Sequence, residues 1–261
     1  MKNLLFWLYA VIAIVLIALG YTYWESKVTD SAAQDNAITQ SVDEDSSSSS
    51  NTKKEKKEDS SAKPNKNLFK NKELQGIYDD KTKDGKKMNI TLVSTPYQTS
   101  EENTNVKDEL NYVSDAYIKV TDVEVPGVST SFDTENIYKT NPDIILMDAL
   151  TLNDFYEEIP INDHINTLES IYNNAENQNN IPVVIIGTRP EYNDSDFNEY
   201  QRAEEEYFSN KDNNFKYINQ SSKWPNNKAI ADYYNVDDGL LTDRGVNRWV
   251  TSITDYLFNE E

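Results

Sequence analysis

DIILM, at residues 143–147, and PVVIIG, at residues 182–187, decide the fold. Each is a continuous apolar run too short for a helix, the pattern of a strand covered on both faces. Residues 88–93 (MNITLV) and the β-branched-rich stretch 117–125 read as two earlier strands, and residues 215–218 as a weaker fifth. Helical patterns fall between them at 106–114, 134–139, 161–175, 197–211 and 243–258. In the last, Val246, Trp249, Val250, Ile253 and Leu257 repeat at helical spacing and make one apolar face. Strands alternating with helices predict an α/β domain, a mostly parallel sheet with helices on both faces. No internal repeat is visible.

The first part of the chain differs in kind. Between Asn3 and Trp24 there is no charged side chain, and residues 4–20 are apolar apart from aromatics, followed by Tyr21, Tyr23 and Trp24. Such a segment has the length of a bilayer core, with aromatics placed for the interface. Residues 1–24 are therefore expected to form one transmembrane helix, inserted through residues 4–23. Lys2 ahead of it favours an outward-facing C-terminal part. A cleaved signal peptide is the alternative, but the apolar core is long and the small-residue site Ser31-Ala32-Ala33 lies far from its end. Residues 25–67 hold a serine run at 46–50 and the block KKEKKED at 53–59, with almost nothing apolar to bury. They read as a disordered Ser/Lys/Glu-rich stalk. Residues 68–261 are the folded domain.

The formal charge is −20. Lys2 contributes one positive charge and residues 25–66 carry seven lysines against nine acids, so nearly all of the acidity sits on the domain. A polyanion must be met by clustered Lys and Arg, so nucleic acid is excluded as a partner. A neutral cell-surface glycan or a basic envelope protein fits better. There is no cysteine, which rules out disulfides, thiolate metal sites and an acylated lipobox.

Ligands of an open parallel sheet sit outside the carboxyl ends of its strands. The polar loops there are Ser94-Thr95-Pro96, residues 148–154 (DALTLND), Thr188-Arg189-Pro190 and residues 237–245 (DDGLLTDRG), with Thr242 or Asp243 placed to cap the last helix. The acids Asp148, Asp154, Asp237 and Asp238 are hard-oxygen donors. No Ca²⁺-loop motif organises them, so neither a metal nor another cofactor is expected.

Three blocks carry a resemblance: PDIILMDALTLND at 142–154, IPVVIIGTR at 181–189, and Trp224-Pro225 followed by DDGLLTDRGVNRW at 237–249. Their order and spacing resemble the SGNH/GDSL hydrolases, esterases and lipases, and most closely the membrane-anchored Gram-positive type. The resemblance spans residues 88–258 and implies a three-layer, flavodoxin-like sheet. It also implies a serine nucleophile, a histidine base oriented by an aspartate, and an oxyanion hole made by a glycine amide and an asparagine.

Carried over residue by residue, the pattern is broken. The Gly-Asp-Ser block falls on Ser94-Thr95-Pro96, so Pro96 stands where the nucleophile belongs and Ser94 serves only in a shifted register. The second glycine falls near Thr130, in GVSTS at 127–131. Asn153 matches the oxyanion asparagine. The Asp-x-x-His pair falls on Asp237 and Leu240, and leucine moves no proton. The candidate catalytic residues are thus Ser94, Asn153 and Asp237, with Asp154 and Arg189 as candidate ligand-binding residues. Each has a plainer alternative. Ser94 suits a strand-end turn, Asn153 and Asp154 a helix-capping pair, and Arg189 a salt bridge. The chain's single histidine, His164, follows Asp163 at the start of a helical pattern. One reading is a relocated base with Asp163 beside it; neighbours on a helix point in different directions, so a surface histidine is expected there instead.

The expected protein is a membrane-anchored, extracytoplasmic domain with a degenerate site, acting on or binding envelope polysaccharide. The alternatives are an active carbohydrate O-acyl esterase using a rearranged Ser94 site, and a non-enzymatic protein-binding ectodomain.

Overall fold

The chain divides into two units, residues 1–52 and 53–261. The structure, a computed structural model, describes residues 63–225 and 227–260. The expected transmembrane helix at 1–24, and the expected stalk up to residue 62, lie outside the described residues. Among the described residues no helix is long and apolar enough to cross a membrane.

In chain order the elements are α1 (Lys72–Lys83), β1 (Met88–Ser94), α2 (Val106–Val113), β2 (Ile118–Glu124), α3 (Glu135–Tyr138), β3 (Ile144–Asp148), α4 (Thr151–Tyr156), α5 (Ile161–Asn173), β4 (Val183–Ile186), α6 (Ser195–Phe208), β5 (Tyr217–Ile218) and α7 (Asp243–Leu257). The strands form one sheet in the order β2-β1-β3-β4-β5, all neighbours parallel. This is the flavodoxin-like doubly wound order, whose switch point lies between β1 and β3.

Period-two alternation sorts the side chains into two cores. Ile90, Leu92, Ile144, Leu146, Val184 and Ile186 pack against Leu74 and Tyr78 of α1, Leu110 of α2 and the apolar face of α7. Val93, Ile145, Met147, Val183 and Ile185 face Ile137 of α3, Leu168 and Ile171 of α5 and Phe208 of α6. The three-layer expectation is what the structure holds. The α7 stripe behaves as its spacing predicts, with Val246, Trp249, Val250, Ile253 and Leu257 all buried. Its cap is Thr242, whose side chain accepts from the Gly245 amide at 3.2 Å. A Cβ on Gly245 would overlap the Tyr233 carbonyl oxygen, so this turn is closed to any larger residue.

Two helices went unread in the sequence. α1 (KELQGIYDDKTK) is charged throughout, yet Leu74, Tyr78 and Thr82 are its buried positions, one every fourth residue. α4 is only six residues long and begins directly after Leu150, which sits in the left-handed region at φ 58. A leucine held there is strained by roughly 1–2 kcal/mol. Its amide is tied to Asp148 Oδ1 at 2.7 Å, which helps hold the sharp exit from β3 that sets Asn153 and Asp154 on α4. The domain also begins earlier than its composition suggests. Asn65, in the expected stalk, donates its amide to the Tyr78 hydroxyl at 3.3 Å, and its carbonyl accepts from Gln75 at 3.3 Å.

Candidate functional site

At the carboxyl end of β1, the Ser94 hydroxyl donates to Asp122 Oδ1 of the edge strand β2 at 2.6 Å. Pro96 opens a three-residue 3-10 turn ending at Gln98. Gln98 donates to Asp148 Oδ2 at the end of β3, 2.5 Å away. Ser94 and Asp122 line one cleft, with Lys107 and Glu124 at its walls.

Asn153 lines a second cleft of about 260 Å³, together with Tyr97, Gly127, Ser131, Tyr156 and Glu157. Both of its amide hydrogens are taken, one by the Gly127 carbonyl at 2.9 Å and one by the Val125 carbonyl at 3.2 Å. Its Oδ1 has no partner among the described residues. The residue that matches an oxyanion donor therefore has no free donor to give.

Asp237 is exposed, and its loop closes on itself: Asn235 caps the Asp237 amide at 3.0 Å and Asp238 caps the Leu240 amide at 2.9 Å. Asp237 lines neither cleft. Thr130 is also exposed, on a third groove beside Ser129 and Asp163. Arg189 is wholly buried. It pairs with Glu191 at 2.5 Å, donates to the Gly239 carbonyl at 3.1 Å and stacks on the Tyr234 ring at 3.5 Å. The salt-bridge alternative is the arrangement present, and the guanidinium ties the end of β4 to the 237–240 loop.

The larger departure concerns His164. It is not a surface residue but has no solvent exposure at all. Nδ1 lies 2.7 Å from Asp154 Oδ2, and Nε2 lies 3.0 Å from Glu204 Oε2. Asp163, exposed, plays no part. Asp154 also accepts from the Ser129 amide at 2.7 Å and the Ser129 hydroxyl at 2.5 Å. Glu204 accepts from Thr151 at 2.6 Å and from the Tyr217 hydroxyl at 2.8 Å. The fold thus buries a carboxylate–imidazole–carboxylate chain that crosses α4, α5 and α6, and every oxygen in it is met by a donor. Burial alone would lower the histidine's pKa; the hydrogen bonds that its ring N–H groups donate to two carboxylates override it and raise it to about 9. The imidazolium is accordingly the form at neutral pH. Asp154, a candidate ligand-binding residue, is wholly buried within this chain of bonds and not open to a cleft.

Both partners carried a sequence signal. His164 stands on the same helical stripe as Leu168, Ile171 and Tyr172, and Glu204 on the stripe of Phe197, Gln201 and Phe208. A charged residue on a buried stripe needs a buried partner.

Asp148, at the end of β3, is 3 % exposed. Burial pushes its carboxyl up to about 7, against the Leu150 amide and Gln98, which hold it down, and with Glu204 adding to the rise. The folded state therefore holds this proton more tightly than the unfolded chain. The stability linked to it is full below the ordinary carboxylate value and is lost as pH rises from about 4 to about 7. A rise of that size corresponds to a ceiling on the order of 4 kcal/mol. Asp148→Asn is expected to gain stability at pH 8 and little at pH 5, because it removes a buried group that ionises only at the higher pH, and Gln98 Oε1, without a partner among the described residues, can accept from the new amide. Urea unfolding at both pH values checks this; a pH slope unchanged from the parent would show that Asp148 is not the group responsible.

No family model matches the chain, and no curated protein matches it. Among solved structures, the chain is similar to a lipase/acylhydrolase from Enterococcus faecalis at 16% identity, over 67% of this chain and 99% of that one, with a TM-score of 0.46. It is similar to the psychrotrophic esterase EstA from a Pseudoalteromonas species at 12% identity, over 64% and 95%, with a TM-score of 0.48. A lipolytic protein of the G-D-S-L family from Desulfitobacterium hafniense is similar at 13% identity, over 65% and 99%, with a TM-score of 0.49.

Proposed function

We propose that this chain is a membrane-anchored, extracytoplasmic SGNH/GDSL-hydrolase-like protein whose catalytic site is degenerate and which binds a cell-envelope polysaccharide. The observation that carries this is the enclosure of His164. Serine-based acyl transfer needs an imidazole able to take a proton at the mouth of the sheet. The sole histidine is sealed in the core and protonated, Leu240 stands in the expected position, and Asn153 has its donors committed. The expected anchor at residues 4–23 supports the location, and the tyrosine-walled cleft supports a sugar ligand over an acyl chain.

The rival reading, an O-acyl esterase using Ser94, is favoured by one contact, the Ser94–Asp122 hydrogen bond. Burial raises the Asp122 carboxyl above its ordinary value, but no imidazole stands beside Ser94 to take and return its proton. The full-length protein, given p-nitrophenyl acetate and an acetylated glycan, is expected to release acetate no faster than buffer, with Ser94→Ala indistinguishable from it. Turnover that disappears in Ser94→Ala would replace this proposal with the esterase.

A further inference from the structure

Among the described residues, the cleft that holds Asn153 is lined by aromatic faces, hydroxyls and one carboxylate, and by no cationic side chain. Its walls are Tyr97 and Tyr156, with ring centroids 6.5 Å apart and planes inclined at 48°. Its rim carries the exposed carboxylate of Glu157, and no lysine, arginine or histidine lines it. Asn153, 5 % exposed, spends both amide hydrogens on the carbonyls of Val125 and Gly127. A group that would offer hydrogens to an incoming oxyanion is thus spent within the protein. The other charges acting on Tyr156 are the carboxylates of Glu191 and Asp194 and the guanidinium of Arg189. That guanidinium is itself buried against Glu191 and the Tyr234 ring.

We infer that this cleft selects a protonated amine carried on a sugar, as in a glycan of de-N-acetylated hexosamines. The inference rests on the reading of the domain as a glycan binder and narrows it to a ligand class. An ammonium group is attracted to the faces of electron-rich rings and has hydrogens for the exposed Glu157 carboxylate. Sugar C–H faces pack on the same tyrosines. An N-acetyl group in that place carries no charge for Glu157 or for the ring faces, and a phosphate or uronate meets like charge. The cleft is below the roughly 300–1,000 Å³ of a drug-sized site, which limits it to about one sugar unit. Tyr156 also borders a second groove, with Phe155, Ile159 and Tyr200, along which a chain can continue.

The test uses the full-length protein and two oligomers of equal length, glucosamine and N-acetylglucosamine, followed by titration calorimetry. At a pH where the amine is protonated, the glucosamine oligomer is expected to bind at least about tenfold more tightly. That advantage should fade once the amine is neutral. Tyr156→Ala is expected to weaken it about tenfold, the scale of a partly desolvated cation–π contact. Glu157→Gln should reduce the preference, while Glu206→Gln, an exposed acid on α6, should leave it intact. Tyr156 is half exposed, so an unchanged melting temperature certifies that its variant is folded. Equal affinity for both oligomers, with loss in Tyr156→Ala, overturns the amine selection and leaves glycan binding standing. A preference indifferent to Tyr156→Ala and Glu157→Gln is attraction to the acidic surface at large, and it overturns the inference too. Binding of neither oligomer overturns both readings.

Discussion

Glu204→Ala is expected to remove about 3–5 kcal/mol of folding stability, the cost of breaking a buried ion pair by deleting one partner. The substitution strands the protonated His164 with one carboxylate instead of two and leaves Thr151 and Tyr217 without their acceptor. Native domains are stable by only about 5–15 kcal/mol, so the variant should unfold at a much lower urea concentration. The same site has a pH signature. His164 is raised from 6.5 to about 9, so its contribution is full below about 6.5 and is lost as pH rises through 9. The parent protein should therefore lose stability between pH 7 and 10, and Glu204→Ala should lose less over that range. An effect below about 1 kcal/mol at pH 7 would mean that the three helices do not depend on this charge for their packing.

Trp249→Ala is the second large effect, expected at about 3–5 kcal/mol from lost burial and the cavity left behind. Trp249 is 1 % exposed at the centre of the α7 stripe and meets Trp224 edge-on, with ring centroids 5.8 Å apart. Its indole nitrogen has no hydrogen-bond partner among the described residues. Trp249→Phe should accordingly cost much less, because it removes an unsatisfied donor along with some volume. Thermal unfolding of the two variants decides the matter; equal losses would mean that filling the cavity with another ring recovers nothing.

The fold was largely legible because its signals are local. DIILM and PVVIIG became β3 and β4, and the α7 spacing gave the buried face residue by residue. α1 escaped because its buried positions are few and set among lysines and aspartates, and α4 because a strained Leu150, not a periodic pattern, starts it. The site was less legible for a different reason. Asn153 and Ser94 could be placed by motif order, but what their polar atoms bond to depends on backbone carbonyls and on an acid from another strand. The His164 partners lie ten and forty residues away. The surface placement expected for His164 was the error, and a reading by helical stripe instead of adjacency would have put the histidine inside.

The main chain comes in and goes out of the domain side by side. Phe69 and Phe258 form an antiparallel bridge, flanked by Lys70 N to Leu257 O and Asn259 N to Leu68 O, both 2.8 Å. In an antiparallel pair of this kind the incoming and outgoing ends point the same way. Tension drawn between them loads the hydrogen bonds one at a time instead of shearing them together. Within the described residues the domain's first and last segments thus lie side by side, the arrangement that lets a domain be inserted into another chain or reopened at a loop elsewhere.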